Sequence, residues 1–210
     1  MARRRPAVLH IFPLPPTRDC SSLRHVGDAE MSEKEIRRIR RLDWAGLRHL
    51  WDAIRAGRTP GWRAGAAFEH LVLRAFELND ADVVWPYTVR LGGEVAEQID
   101  GAVHVDGLSC LVESKNIAGQ VNVEPIAKLR NQLLRRPSHT IGLVFSASGF
   151  TSPAQTLAQY MSPQTVLLWS PEEIEHLLRL EQFRWALRVK YRKCVESGVP
   201  DYDIRAEAIR

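Results

Sequence analysis

Residues 100–115 read DGAVHVDGLSCLVESK, and this pattern predicts a β-hairpin near the middle of the chain. The Asp106-Gly107 pair lies between mostly apolar residues, an arrangement typical of a two-residue hairpin turn. With that turn, Val105 pairs with Leu108, and all later pairs of opposed residues follow the same register. The stretch therefore predicts two antiparallel strands whose pairing is fixed by the turn.

The predicted register brings two acidic side chains together at the far end of the hairpin. Asp100 falls directly opposite Glu113, and directly opposed side chains have Cβ atoms about 4.5–5.5 Å apart. Lys115 lies two residues beyond Glu113 and therefore projects from the same face of the sheet. Two acids and a lysine on one face make a poor apolar core. Carboxylate oxygens are ligands that Mg²⁺ prefers, so the pattern predicts a magnesium site.

A helix with an acidic residue is predicted before the hairpin, over about residues 63–78, because apolar side chains recur there at helical spacing. These side chains are Phe68, Leu71, Val72, Ala75 and Phe76. Glu69 borders the apolar stripe. A carboxylate at the edge of a buried helix face can reach over the sheet on which the helix packs. The alternative is an ordinary surface glutamate.

The remaining patterns predict an α/β fold with a mixed sheet. The predicted strands are about 82–90, 97–105, 108–115, 140–146 and 164–169. The predicted later helices are about 122–136 with Asn122 as N-cap, about 152–161, and a helical stretch from Ser170 to about Val195. Pro86 indicates an edge or a bulge in the first strand. A strand, a helix and a strand in succession imply a right-handed parallel crossover, added to antiparallel strands.

The first sixty residues are predicted to lie outside this core. Residues 1–30 are rich in Pro and Arg and predict a disordered arm. Residues 31–60 predict a basic helical extension, in which Ser32 and Glu35 match a capping box and the helix runs to about Leu50. Met31 is also a possible alternative translational start. At the other end, 181–210 is predicted to form a C-terminal helix and tail.

The net charge of +4 is unevenly distributed. Residues 1–60 hold 13 Lys/Arg against 7 Asp/Glu, whereas residues 61–210 hold 16 against 18. The basic segment therefore favours either contact with a polyanion or a solvated helix face. No stretch approaches the roughly 18 apolar residues of a membrane span. The three cysteines are isolated and odd in number, so we expect a reduced cytoplasmic protein; they are Cys20, Cys110 and Cys194.

The order of these motifs resembles the PD-(D/E)xK nuclease superfamily and, more closely, the Mrr-like restriction endonucleases. The matching residues are Asp100, the Glu113-Ser114-Lys115 run, the helix GAAFEHLVL with Glu69, and GFTSPA at 149–154 after the apolar run 141–145. The resemblance covers about residues 61–180. Ile99 stands where the superfamily's nominal motif has Pro, at a position that varies within the superfamily.

The resemblance implies a restriction-endonuclease-like core, with a mixed central sheet flanked by helices, and a metal-dependent endonuclease of restriction or defence type acting on DNA. Mg²⁺ is the expected cofactor, with Mn²⁺ as a substitute, and Asp100 and Glu113 are its expected ligands. The resemblance adds the backbone carbonyl of Ser114 as a further ligand and Glu69 as a direct or water-mediated one. Lys115 is expected to orient the attacking water or to balance charge on the phosphate.

The sequence pattern is also compatible with other functions. The same core can serve as a non-cleaving DNA-binding or adaptor module, or as a nuclease that a partner activates. A repair or junction-resolving nuclease shares the same chemistry. A homodimer would let two sites cut two strands. The chain has no Walker-type phosphate loop and no Gly-x-Ser-x-Gly, so neither a nucleotide cofactor nor serine-esterase chemistry is expected.

Overall fold

A computed structural model describes residues 26–207 of the protein. Its strands are β1 (Asp82–Val84), β2 (Tyr87–Leu91), β3 (Glu94–Ile99), β4 (Gly101–Val105), β5 (Leu108–Lys115), β6 (Thr140–Ser146) and β7 (Val166–Trp169). Its helices are α1 (Val26–Arg40), α2 (Trp44–Arg55), α3 (Ala66–Glu77), α4 (Val123–Leu133), α5 (Ser152–Gln159), α6 (Pro171–Leu180) and α7 (Phe183–Ser197), followed by a 3₁₀ turn at Ile204–Ala206. None of the helices in this part of the chain combines the length and apolar character that a membrane span requires.

Five strands form the central sheet in the order β1-β4-β5-β6-β7. The pairs β1–β4 and β4–β5 are antiparallel, whereas β5–β6 and β6–β7 are parallel. Helix α4 connects β5 to β6, and α5 connects β6 to β7. The predicted α/β fold with a mixed central sheet flanked by helices is therefore confirmed.

The hairpin has the predicted register. Val105 pairs with Leu108, and the ladder continues to the pair Gly101–Val112. Asp106 and Gly107 both have positive φ, of 51° and 79°, which is the backbone that a two-residue hairpin turn requires. The ladder stops one residue before Asp100, so Asp100 adjoins β4 without belonging to it.

Two of the predicted strands are interrupted. The strand predicted at 82–90 divides into β1 and β2 around Pro86, which has no backbone N–H to donate to a ladder. The strand predicted at 97–105 divides at Asp100 into β3 and β4. As a result β2 and β3 pair with each other in a separate two-stranded sheet. Continuous strands were the wrong prediction at both places.

The helices flanking the core also begin and end differently from the prediction. The helix expected from Ser32 to Leu50 is two helices, and the Asp43 side chain caps the second by accepting the Gly46 N–H at 2.9 Å. The first begins at Val26, so positions 32 and 35 lie inside it and not at its N-terminus. The helical stretch predicted from Ser170 to Val195 breaks between α6 and α7. The disordered arm predicted at 1–30 falls mostly on residues 1–25, which lie outside the described residues.

Apolar side chains cover both faces of the sheet. One core includes α2, α3, α6 and α7, with Phe68, Phe76, Phe145 and Trp169 fully buried at its centre. The other includes α4 and α5, with Ile126, Leu129, Leu111 and Val144 packed together. Leu111, Glu113 and Lys115 alternate along β5, so they lie on the α4 face of the sheet. The charged residues at the end of β5 therefore lie on the same sheet face as the apolar core that includes α4.

Candidate active site

Glu113 is a fully buried carboxylate near the end of β5. Its Oε1 lies 2.5 Å from the Lys115 Nζ. The Nζ of Lys128, on α4, lies 3.1 Å from each of the two carboxylate oxygens. A buried carboxylate is stable only when it is paired and hydrogen-bonded, and here two ammonium groups provide the pairing.

Asp100 lies beside Glu113, at the junction between β3 and β4. Its Oδ2 accepts the backbone N–H of Ser114 at an N–O distance of 2.6 Å. Burial raises the pKa of Asp100 to about 8, and the negative charges of Glu69 and Glu113 add to this effect. The hydrogen bond from Ser114 and the charge of Lys115 act in the opposite direction. Asp100 and Glu113 are thus neighbours, as the hairpin predicted.

Glu69 reaches the same region from the first turn of α3. Burial raises its pKa, the nearby Arg63 and Lys115 lower it, and the charge of Glu113 raises it further. Glu69 is partly buried, and its charge acts on Asp100. Three carboxyl groups from three elements thus act on one another electrostatically, and the role of Glu69 at the site stays a prediction.

Lys115 remains positively charged at this site. Although its burial acts to lower the pKa, the bond to Glu113 and the charges of Asp100 and Glu69 outweigh that effect and raise the pKa. Its side chain is about one quarter exposed, at 28 %. The ammonium group thus lies between the buried carboxylate and solvent.

Two basic residues near the site were not predicted from the sequence. Lys128 follows the buried Ile126 by two positions on an amphipathic helix, where a lysine is ordinary, so only the packing of α4 over β5 indicates its contact with Glu113. Arg63 acts on Glu69 and is fixed by the buried Glu35, which accepts the Arg63 backbone N–H at 2.8 Å and its Nε–H at 2.9 Å. The predicted capping role of Glu35 gave no indication of that contact.

The side chains present fit a hydrated divalent ion better than a closed metal cage. Among residues 26–207, no three His, Cys, Asp or Glu side chains are arranged so that they could jointly hold a metal ion. Mg²⁺ keeps several waters and needs only one or two carboxylates together with phosphate oxygens. Burial is the largest cause of the raised pKa of Asp100, and the charges of Glu69 and Glu113 add to it; a bound cation would oppose both effects. The chemistry of these oxygen donors therefore suits Mg²⁺.

Comparison with known proteins gives one family match and several matches to solved structures. The family model Mrr_cat, described as restriction endonuclease, matches residues 64–178. A search of curated proteins found no match to the chain. Among solved structures, the protein of unknown function AF1548 is 21% identical with a TM-score of 0.45, and the match covers 62% of this chain and 77% of that one.

Two further solved structures match this chain at a similar sequence identity. The Vibrio cholerae protein VC1899 is 20% identical with a TM-score of 0.46, and the match covers 58% of this chain and 34% of that one. The MspJI restriction endonuclease, in complex with a 27-mer oligonucleotide, is 19% identical with a TM-score of 0.41, and the match covers 79% of this chain and 37% of that one. This chain thus spans about a third of the length of these two proteins.

Proposed function

Because the chain belongs to the Mrr_cat family of restriction endonucleases, we propose that it is a Mg²⁺-dependent endonuclease that hydrolyses DNA phosphodiester bonds in a restriction or defence role. The predicted resemblance to Mrr-like enzymes is confirmed by this membership. The observation that carries the proposal is the meeting of Asp100, Glu113, Glu69 and Lys115 at one end of the sheet. Mn²⁺ is expected to replace Mg²⁺.

In this proposal the carboxylates hold the metal ion. Asp100 and Glu113 would supply direct ligands, the backbone carbonyl of Ser114 would be a further one, and Glu69 would bind directly or through water. Bound Mg²⁺ would supply Lewis-acid polarisation of the phosphoryl oxygen. The fold supports these roles by fixing the Asp100 carboxylate with the Ser114 N–H. Charge repulsion among the acids favours binding of a cation.

The lysines have a different role. Lys115 keeps its proton, so it orients the attacking water and balances the charge that develops on the phosphate. Lys128 neutralises Glu113 and is half exposed, at 49 % of its side-chain surface. An exposed ammonium group beside the buried carboxylate can contact a phosphate of the substrate as well.

Cleavage assays with supercoiled and linear DNA test this proposal. We expect the wild type to nick DNA with Mg²⁺ or Mn²⁺ and not with a chelator. Lys115→Ala should reduce the rate by about 100-fold or more, the usual effect of removing a charge-stabilising group. Lys193→Ala is the matched control, because it removes an ion-paired lysine from α7. Equal nicking by wild type and Lys115→Ala, or no nicking under any condition, would contradict the proposal.

A partner-activated or non-cleaving DNA-binding module is the second candidate. The pairing of Glu113 with two ammonium groups favours it, because a carboxylate already neutralised has less need of a metal ion. The pKa of about 8 likewise leaves Asp100 largely protonated at neutral pH. DNA binding that needs no metal and is unchanged by Asp100→Asn, in a protein without cleavage activity, would favour this candidate. Homodimer formation stays a prediction.

A further inference from the structure

An open groove of about 690 Å³ lies between β3 and α4. Its walls include β3 residues 95–98, the α4 residues Lys128, Asn131 and Gln132, and Arg135 in the turn after α4. We propose that this groove holds the nucleotide next to the scissile phosphate and that Gln132 accepts a hydrogen bond from its base. This inference rests on the proposed nuclease function, and it specifies how that site selects its substrate.

The groove begins at the candidate active site. Lys128 lines it and also bonds to both oxygens of Glu113. Residues 128, 131 and 132 are spaced so that they share one face of α4. From Lys128 to Gln132 the helix rises about 6 Å, or four residues at 1.5 Å each, and Arg135 lies in the turn just beyond the end of α4. A strand whose phosphate lies near Glu113 therefore has a continuous path along α4.

Positive charge lies at both ends of this path. At the far end, Arg135 is fixed by the buried Glu97, to which it donates from its guanidinium. The other oxygen of Glu97 is held by Arg136 at 2.7 Å. Because Glu97 is shared in this way, Arg135 is oriented at the groove before any ligand arrives. Two cations along an open groove are complementary to the phosphates of a polynucleotide.

Gln132 indicates that the groove takes a base as well as a backbone. Its side chain is 4 % exposed, and its Nε2 donates to the Gln98 carbonyl at 3.4 Å. Its Oε1 is buried and has no hydrogen-bond partner in the described part of the chain. Reversing the amide would place this oxygen against the Gln98 carbonyl oxygen, so the free acceptor is the amide oxygen of a residue that lines the groove.

A buried acceptor without a donor is unfavourable by about 1–3 kcal/mol, and a ligand that donates would remove this penalty. Phosphates offer only acceptors and cannot bond to it. At the major-groove edge adenine and cytosine present exocyclic amino groups that donate, whereas guanine and thymine present only acceptors. The adjacent Asn131 is exposed and offers both a donor and an acceptor. We therefore expect a preference for adenine or cytosine at one position beside the cut.

Sequencing of cleavage ends tests the base contact. Wild type, Gln132→Met and the control Arg130→Ala are each incubated with random-sequence DNA and Mg²⁺, and the profile of bases around the cuts is normalised for each enzyme. Wild type and Arg130→Ala should show about threefold or greater enrichment of adenine or cytosine at one position, as expected when one base contact is worth about 1–3 kcal/mol. Gln132→Met should lose it. An identical profile for Gln132→Met and wild type would overturn the inference.

A binding assay separates failure of the groove from failure of the nuclease proposal. Fluorescence anisotropy with a short labelled DNA in chelator needs no cleavage. Lys128→Ala and Arg130→Ala each remove one positive charge from α4, but only Lys128 lines the groove. We expect Lys128→Ala and Asn131→Ala to weaken binding by about tenfold and Arg130→Ala by no more than about twofold.

Each outcome of the binding assay decides a different proposal. If this binding pattern holds but the wild type never cleaves, the groove stands and the nuclease proposal fails. If the enzyme cleaves but the groove variants bind like Arg130→Ala, the groove proposal fails. Cooperative thermal unfolding of Gln132→Met verifies that it is folded, and Asn131→Ala, at an exposed position, tests the groove if it is not.

Discussion

The carboxyl group of Asp100 holds its proton far more tightly in the folded protein than it would in water. Burial raises its pKa from 3.8 to about 8, with contributions from the charges of Glu69 and Glu113. Displacements of this size are typical of groups that act on bound charge, and they reduce stability rather than add to it. Asp100 is therefore a residue at which stability and the proposed function oppose each other.

In chelator, we expect the free energy of unfolding to fall as the pH rises from about 4 to about 8. Across that range the folded state keeps the Asp100 proton that the unfolded state has lost, so each pH unit removes at most about 1.4 kcal/mol. Asp100→Asn has no such proton and should show a flatter dependence. Urea unfolding at about pH 5 and about pH 8 measures the difference. An equally steep fall in the variant would count against the raised pKa.

At the scale of elements, the approach of α3 to β4 determines where Glu69 lies relative to Asp100. Gly101, the first residue of β4, makes this approach possible: a Cβ there would lie 2.6 Å from Leu73 Cδ2 and 3.1 Å from the Val84 carbonyl oxygen. Neither contact can be tolerated without movement. The glycine therefore sets the distance between the acidic helix and the hairpin.

We expect Gly101→Ala to destabilise the protein by about 1–3 kcal/mol, the usual effect of overpacking, because the buried Leu73 side chain must shift. Leu73→Ala makes room for the new methyl group. The double variant should therefore be more stable than the sum of the two single changes predicts. Thermal unfolding of the four proteins in this cycle measures the coupling. Strict additivity would show that Leu73 does not limit the space at Gly101.

Features that neighbouring residues determine were predicted correctly from the sequence, whereas features that depend on long-range packing were not. The hairpin register was predicted correctly because Asp106-Gly107 determines it locally, and the α4 start because Asn122 caps it by accepting the Glu124 N–H at 3.0 Å. The interruption of the strand at Asp100 lies beside Gly101, where the Leu73 side chain of α3 approaches closely, and no local pattern records that contact. Turns and helix caps can thus be predicted from the sequence, whereas a strand interruption at a place of long-range packing cannot.

In the candidate site, too, local contacts were predicted and long-range contacts were not. Asp100, Glu113 and Lys115 are joined by one hairpin, so their meeting followed from its register. Lys128 reaches Glu113 from the crossover helix, and its contact depends on the lateral position of α4 over the sheet. Long-range packing of this kind has no signature in residue type or spacing.

At the scale of the whole molecule, α7 and the 3₁₀ turn lie beyond the matched residues 64–178 and still belong to the core. The fully buried Lys190 ammonium lies 2.6 Å from Glu173 Oε1 and 4.3 Å from the Trp169 ring centroid, and it donates to the Leu168 carbonyl. Glu173 also accepts the Ile204 N–H at 3.0 Å. One buried ion pair thus joins α6, α7, β7 and the C-terminal turn.

We expect Lys190→Ala to destabilise the protein by about 3–5 kcal/mol, because it leaves Glu173 charged and buried without its partner. Lys193→Ala, which breaks an ion pair that is partly exposed to solvent, should change stability by no more than about 1 kcal/mol. Chemical denaturation of both variants provides the comparison. The double variant Lys190→Met/Glu173→Gln should recover much of the loss, since no unpaired charge remains. Equal effects of the two alanine variants would show that burial adds nothing.

The two ammonium groups on Glu113 have a consequence for how the protein would take up a divalent ion. Under the proposed function, loading is an exchange of cations, because an ammonium group must leave before the ion can enter. Such an exchange releases less free energy than filling an empty anionic cavity. The occupancy of the metal site should therefore follow the concentration of the free ion and fall quickly when that ion is depleted. The cleavage rate would then rise and fall with the concentration of free magnesium.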